Sequence, residues 1–77
     1  MAKVLDFAYQ AYEVKNGFII EFVTTPTLYE AWLYHKDHDM KTYMFGVAKK
    51  DTNYTNFQKM VLAVQDDYIN DYKETIM

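Results

Sequence analysis

Apolar and polar positions alternate on both sides of Asn16-Gly17, from Phe7 to Val23. Period-two alternation marks half-buried strands. Asn-Gly between two such runs marks a type I′ hairpin, because both central residues of that turn need positive φ. A two-residue loop pairs Lys15 with Phe18, Glu13 with Ile20 and Ala11 with Phe22. That register predicts one apolar face of Phe7, Tyr9, Ala11, Phe18, Ile20 and Phe22, with Glu13 and Lys15 at its solvated tip. Gln10, Tyr12, Val14, Ile19, Glu21 and Val23 fall on the opposite, mixed face. One apolar and one mixed face describe a sheet covered on a single side.

Pro26 cannot donate to a strand ladder, so the chain turns within Thr24-Thr25-Pro26-Thr27. A third strand is predicted from Leu28 to His35, and a fourth from Met40 to Ala48 after the polar loop Lys36-Asp37-His38-Asp39. Trp32 is expected opposite Tyr43 or a neighbour of it. Both faces of the third strand are partly apolar, which leaves its inward side open. After a loop from Lys49 to Tyr54, Thr55-Asn56-Phe57-Gln58 fits a capping box, and a helix is predicted from Thr55 to Glu74. At about 100° per residue, Phe57, Met60, Val61, Val64, Tyr68 and Tyr72 share one arc that should pack on the sheet. The expectation is one α+β domain over 1–77: a four-stranded antiparallel sheet of two hairpins, followed by one C-terminal amphipathic helix packed on one face.

Leu62, Ile69 and Ile76 recur every seven residues at the edge of that arc. Two readings stand. The stripe covers the edge of the sheet, or it is a second seam that packs against another copy of the chain. Composition keeps the second reading open. Half of the 77 residues are hydrophobic and 18% are aromatic, with eight Tyr, five Phe and Trp32. A domain this short buries only about 60% of its unfolded surface. Apolar material in excess of one small core points to an oligomer or a wide apolar binding surface.

The chain has no cysteine, serine or arginine. Disulfide staples, thiolate metal sites, serine and cysteine nucleophiles and bidentate guanidinium clamps are therefore excluded. Lysine-rich, arginine-free composition fits an AT-rich coding sequence, which suggests a low-GC bacterium, its phage or a mobile element. The formal charge of −3 supplies no field towards nucleic acid or anionic lipid. No apolar run reaches the ~18 residues of a membrane span. The start, Met1-Ala2-Lys3-Val4-Leu5-Asp6, carries no apolar h-region. A cytoplasmic location without membrane contact is expected.

The densest group of chemistry-bearing residues is His35-Lys36-Asp37-His38-Asp39. His35, Asp37, His38 and Asp39 are the candidate metal ligands, against the alternative of a solvated polar turn with Lys36 opposing a cation. No pair of carboxylates is placed for acid–base catalysis in a cleft, so no catalytic residue, resident metal or cofactor is expected. Tyr54, Tyr68 and Tyr72 read as core. Asp66, Asp67 and Asp71 read as a solvated acidic face, or as a surface offered to a basic partner in the manner of a DNA-mimicking inhibitor.

Trp32, Tyr34 and Tyr43 could stack on bases, with Lys36, Lys41, Lys49 and Lys50 supplying positive charge around the same hairpin. Four antiparallel strands followed by a helix also resembles, in topology alone, the positive-cofactor-four type of single-strand-binding domain. That resemblance implies a dimer formed through the helix and nearby sheet, with strands bound on a curved sheet surface. No distinctive motif accompanies it, and the missing arginines and net acidity oppose it. The expected function is a small non-enzymatic protein-interaction module, acting as a homodimeric regulator or inhibitor of bacterial or phage type. The alternatives are a homodimeric single-strand nucleic-acid binder and a metal-binding loop protein.

Overall fold

A computed structural model describes residues 8–77. Strands β1 (Ala8–Lys15), β2 (Phe18–Thr24), β3 (Leu28–His35) and β4 (Thr42–Ala48) form one antiparallel sheet in sequence order. A short 3-10 turn, Lys49–Asp51, leads to helix α1 (Tyr54–Thr75). The ββββα order expected from the pattern is the fold observed. Among the described residues, no helix is long and apolar enough to cross a membrane.

Asn16 and Gly17 take φ of 48° and 87°, the positive values that a type I′ turn demands. Gly17 also allows a close approach. A Cβ built there would lie 2.8 Å from His35 Nε2, so the buried imidazole fills the space a side chain would need. Lys15 pairs with Phe18 as expected, but the register then slips. Glu13 pairs with Ile19, Tyr12 with Ile20 and Gln10 with Phe22, with a bulge between Glu13 and Lys15.

A one-residue slip moves every following side chain to the other face. Tyr9 and Ala11, expected inward, therefore lie on the face away from the helix, while Gln10, Tyr12 and Val14 lie on the helix side. The bulge lets Val14 pack on the core while Lys15 stays on the helix side and reaches Asp66 at 3.1 Å. Phe7, also expected on the apolar face, lies outside the described residues.

β3 resolves its ambiguous faces through its partners. Ala31, Leu33 and His35 point towards the helix and are buried, while Glu30, Trp32 and Tyr34 point away. Trp32 pairs with Tyr43, as expected, and their rings meet edge to face at 5.1 Å. A second bulge, between Ala31 and Trp32 on the β3–β4 ladder, leaves Met44 as the extra residue. Met44 and Phe45 can then both serve the helix side.

The core joins Phe18, Ile20, Phe22, Ala31, Leu33 and Met44 of the sheet to Phe57, Val61, Ile69 and Tyr72 of the helix. Asn53 caps the helix: its side chain accepts the Asn56 backbone N–H at 2.8 Å. The expected cap was Thr55. Tyr54 moves the start forward because its ring packs edge-on to Phe22 and against Tyr29, which brings it into the first helical turn. The buried stripe is also turned by roughly 60° from the expected arc. Met60 and Val64 remain more than a third exposed, and Ile69 takes their place against the sheet at 3% exposure.

That rotation puts Gln65 near the middle of the buried stripe. Its side-chain oxygen is buried with no hydrogen-bond partner among the described residues. At the far end of the helix the Tyr72 hydroxyl donates to the Met40 carbonyl at 2.7 Å and ties the helix to the β3–β4 loop.

Candidate functional site, an open aromatic sheet face

The helix covers one face of the sheet and leaves the other open. Outward positions of neighbouring strands bring Tyr9, Val23, Trp32, Tyr34 and Tyr43 onto that open face. Tyr9 and Tyr43 are 65% and 47% exposed. Val23 is buried although it faces away from the helix. A shallow depression of about 410 Å3 runs between Tyr9, Val23, Glu30, Trp32 and Lys41. Trp and Tyr suit such a surface, because each presents a broad apolar ring with one polar handle that remains satisfied in contact with water.

Those handles are held by specific neighbours. The Trp32 indole N–H donates to Glu30 Oε1 at 3.3 Å. Lys41 lies 3.2 Å from both carboxylate oxygens of Glu21, and its ammonium sits 5.1 Å from the centre of the Tyr34 ring. Gly46 makes room for Tyr43: a Cβ there would lie 2.6 Å from the Tyr43 hydroxyl oxygen and 3.1 Å from the Tyr29 carbonyl oxygen. Partial desolvation, reinforced by the Glu30 carboxylate, holds the Tyr43 phenol above its ordinary pKa. It is a neutral hydroxyl at physiological pH.

Carboxylates lie among the aromatic rings and at the β1 edge. Glu13, Glu21 and Glu30 occupy outward positions, and Lys41, already paired with Glu21, is the lysine beside the aromatic rings. The other lysines expected to serve a nucleic-acid surface are elsewhere. Lys36 lies at the hairpin end of the sheet, where its N–H bonds the Gly17 carbonyl at 3.0 Å. Lys49 and Lys50 lie at the opposite end, beside Pro26 and Leu28, with the Lys49 ammonium over the Tyr29 ring. The length of β3, roughly 25 Å, separates the two groups. The structure thus gathers Trp32, Tyr34, Lys41 and Tyr43 and disperses Lys36, Lys49 and Lys50.

The histidine loop has a structural role for His35. Its Nδ1 accepts the Asp37 backbone N–H at 3.1 Å, so Nε2 carries the proton and donates to the Asn16 carbonyl at 3.2 Å. With Nδ1 occupied as an acceptor, the 3.8 Å approach of an Asp37 carboxylate oxygen is not an ion pair. Both ring nitrogens of His35 are committed. No group of three His, Asp or Glu side chains poised to hold a metal occurs among the described residues. Of the remaining candidates, Asp37 and Asp39 are exposed, and half-buried His38 packs edge to face on the His35 ring at 5.4 Å.

The heptad stripe divides. Ile69 is buried in the chain's own core, Ile76 packs partly against it, and Leu62 is 45% exposed. Of the three, Leu62 is the one with most surface to offer a partner. It sits beside a groove of about 530 Å3 between β1 and the helix, lined also by Tyr12, Val14, Phe22 and Gln58. Gln10 and Tyr54 border this region: the Gln10 side-chain oxygen accepts both the Tyr12 and the Tyr54 hydroxyls. Burial, with a smaller effect of Tyr12, raises the Tyr54 phenol pKa.

This groove was missed from the sequence because the expected register placed Gln10, Tyr12 and Val14 on the other face. The available signal was that apolar residues occupy both parities of β1. No family model, curated protein or solved structure matches the chain.

Proposed function

We propose that this chain is a non-enzymatic, homodimeric interaction module whose open sheet face docks a second protein, as a regulator or inhibitor of bacterial or phage type acting in the cytoplasm. One observation carries the reading: Tyr9, Trp32, Tyr34 and Tyr43 share a face that no described residue covers, with Glu21 and Glu30 among them and Glu13 at the β1 edge. Aromatic anchors supply most of the binding energy in protein interfaces, and Trp and Tyr lead among them. The glutamates define the partner. It presents an apolar patch bordered by lysine or arginine, which the carboxylates steer and orient.

Nucleic acid is disfavoured by the same geometry. Phosphates would meet three carboxylates and one lysine already held by Glu21. Catalysis is disfavoured because the close charge pairs, Lys15–Asp66 and Lys41–Glu21, bridge elements at the surface, the first beside a small cavity of about 190 Å3 and the second in the shallow depression of the open face.

Trp32 is the sole tryptophan, so its fluorescence reports on the open face directly. In-cell photo-cross-linking from position 43 should join the chain to a discrete protein partner. Trp32→Ala should abolish that product while leaving the fold intact by circular dichroism. Titration with a single-stranded oligonucleotide at low salt should leave the fluorescence unchanged. A change that weakens steeply with added salt would overturn the protein-docking reading in favour of single-strand binding.

A further inference from the structure

The two edges of the sheet differ in a way that bears on self-association. β4 carries its bulge in mid-strand, at Met44, which breaks the regular spacing a partner strand would need. β1 carries its bulge near the hairpin tip, so its regular pairing with β2 runs unbroken from Ala8 to Glu13. β1 is a terminal strand of the sheet, with no proline between Ala8 and Lys15. Tyr9 to Glu13 are exposed throughout. The groove on the helix side of this edge is apolar, and Tyr12 and Leu62 are each 45% exposed there. Among the described residues, an unpaired edge and an exposed apolar strip therefore lie along the same border.

We infer that β1 pairs antiparallel with β1 of a second copy, joining two four-stranded sheets into one continuous sheet with both helices on the same side. This rests on the homodimeric reading above and names its interface. A two-fold axis perpendicular to the sheet keeps each residue's face, so one residue of β1 faces its own copy across the axis. At Ala11 a small side chain meets its own copy. Gln10 then lies opposite Tyr12 of the second copy, which repeats the amide–phenol pairing already made within the chain.

Charge favours the same arrangement. Glu13 and Lys15 lie at one end of the strand, and Lys15 is engaged by Asp66. Antiparallel pairing about Ala11 holds the two Glu13 carboxylates about 13 Å apart, beyond the screening length, whereas parallel pairing would set them side by side. The strand offers eight residues, about 27 Å, for continuous backbone pairing. Tyr12 of each copy, set beside Gln10 of the other, loses part of its 45% exposure.

The test is light scattering on gel-filtered protein, with Ala11→Lys and Ala11→Glu made separately and then mixed. Wild type should elute as a species of twice 9.2 kDa. Each variant alone should run as a folded monomer by circular dichroism, because like charges meet at the axis. The equimolar mixture should recover the dimer as a heterodimer, a rescue that mere loss of structure would not give. Dimers that persist in both single variants would overturn the β1 interface while leaving self-association standing. A wild type that stays monomeric at high concentration would overturn the interface and the homodimeric reading together. Trp32→Ala should remain dimeric; its dissociation would place the interface on the open face and likewise overturn the β1 pairing.

Discussion

The two faces of this sheet are made by the same four strands and are built from different chemistry. The covered face uses Phe18, Ile20, Phe22, Ala31 and Leu33, side chains without a polar handle, buried to 3% exposure or less. The open face uses Tyr9, Trp32, Tyr34 and Tyr43 beside Glu21, Glu30 and Lys41. The covered face gains its stability by removing apolar area from water and by close packing. The aromatic side chains of the open face keep a polar group in contact with solvent or a charged neighbour, so the surface is tolerable when bare. Apolar surplus in a small chain thus does not imply one larger core. Here much of it is divided between a side covered by the helix and a side left open by it.

The sharpest way to break that contrast is to truncate one aromatic on each side. Phe57→Ala removes a fully buried ring at the centre of the core and should cost about 3–5 kcal/mol, enough to leave a domain of this size barely folded. Tyr43→Ala, on the open face, should cost about 1 kcal/mol or less in the same urea titration. Equal losses would mean that the open face belongs to the fold rather than to a partner.

Next in size is Gly17→Ala, at the tip where His35 closes the covered face. The positive φ and the 2.8 Å approach of the imidazole should together cost about 2 kcal/mol or more. Proton NMR should show the His35 ring moved from its edge-on contact with Phe18.

Gln65 is the polar intruder in the helix's buried stripe. Gln65→Met should stabilise the fold by about 1 kcal/mol, a rise of roughly 4–8 °C in Tm, because it removes an unpartnered buried oxygen at similar volume. A fall in Tm on calorimetry would show that the amide is held by a contact the apolar reading omits.

The smallest effect is alkaline. Tyr43 has its phenol raised in the folded state, chiefly by desolvation and then by Glu30. Below pH 10 the phenol is neutral in both states and the shift is without effect. As pH rises past 10, the unfolded chain releases that proton first, so folding stability falls until the folded phenol ionises too. Tyr43→Phe should flatten this part of the stability curve. An unchanged slope would assign the alkaline loss to Tyr54, whose phenol is raised as well.

Strand and helix order were legible because each element carries its own short-range signal. Asn16-Gly17 announces its hairpin through the φ values it needs, Pro26 announces a break, and Leu28 to His35 is a strand with the bounds expected. The open face was only partly legible. Trp32 opposite Tyr43 follows from the second hairpin, but three of the lysines associated with them lie at the two ends of the sheet. Strand length alone separates these lysines, because Lys36 precedes β4 and Lys49 and Lys50 follow it.

Local pattern therefore determined the elements and their order, since turn chemistry and periodicity act over a few residues. Tertiary packing alone decided which way each element faces. The bulge at Val14 reversed β1, because apolar residues on both parities left two registers open and the core accepted Tyr12 and Val14. The helix turned by roughly 60° to bury Ile69 instead of Met60 and Val64, since a broad apolar arc fits a sheet at several angles and shape complementarity selects one. Both choices depend on contacts between residues far apart in the chain, and they settle which apolar side chains remain exposed.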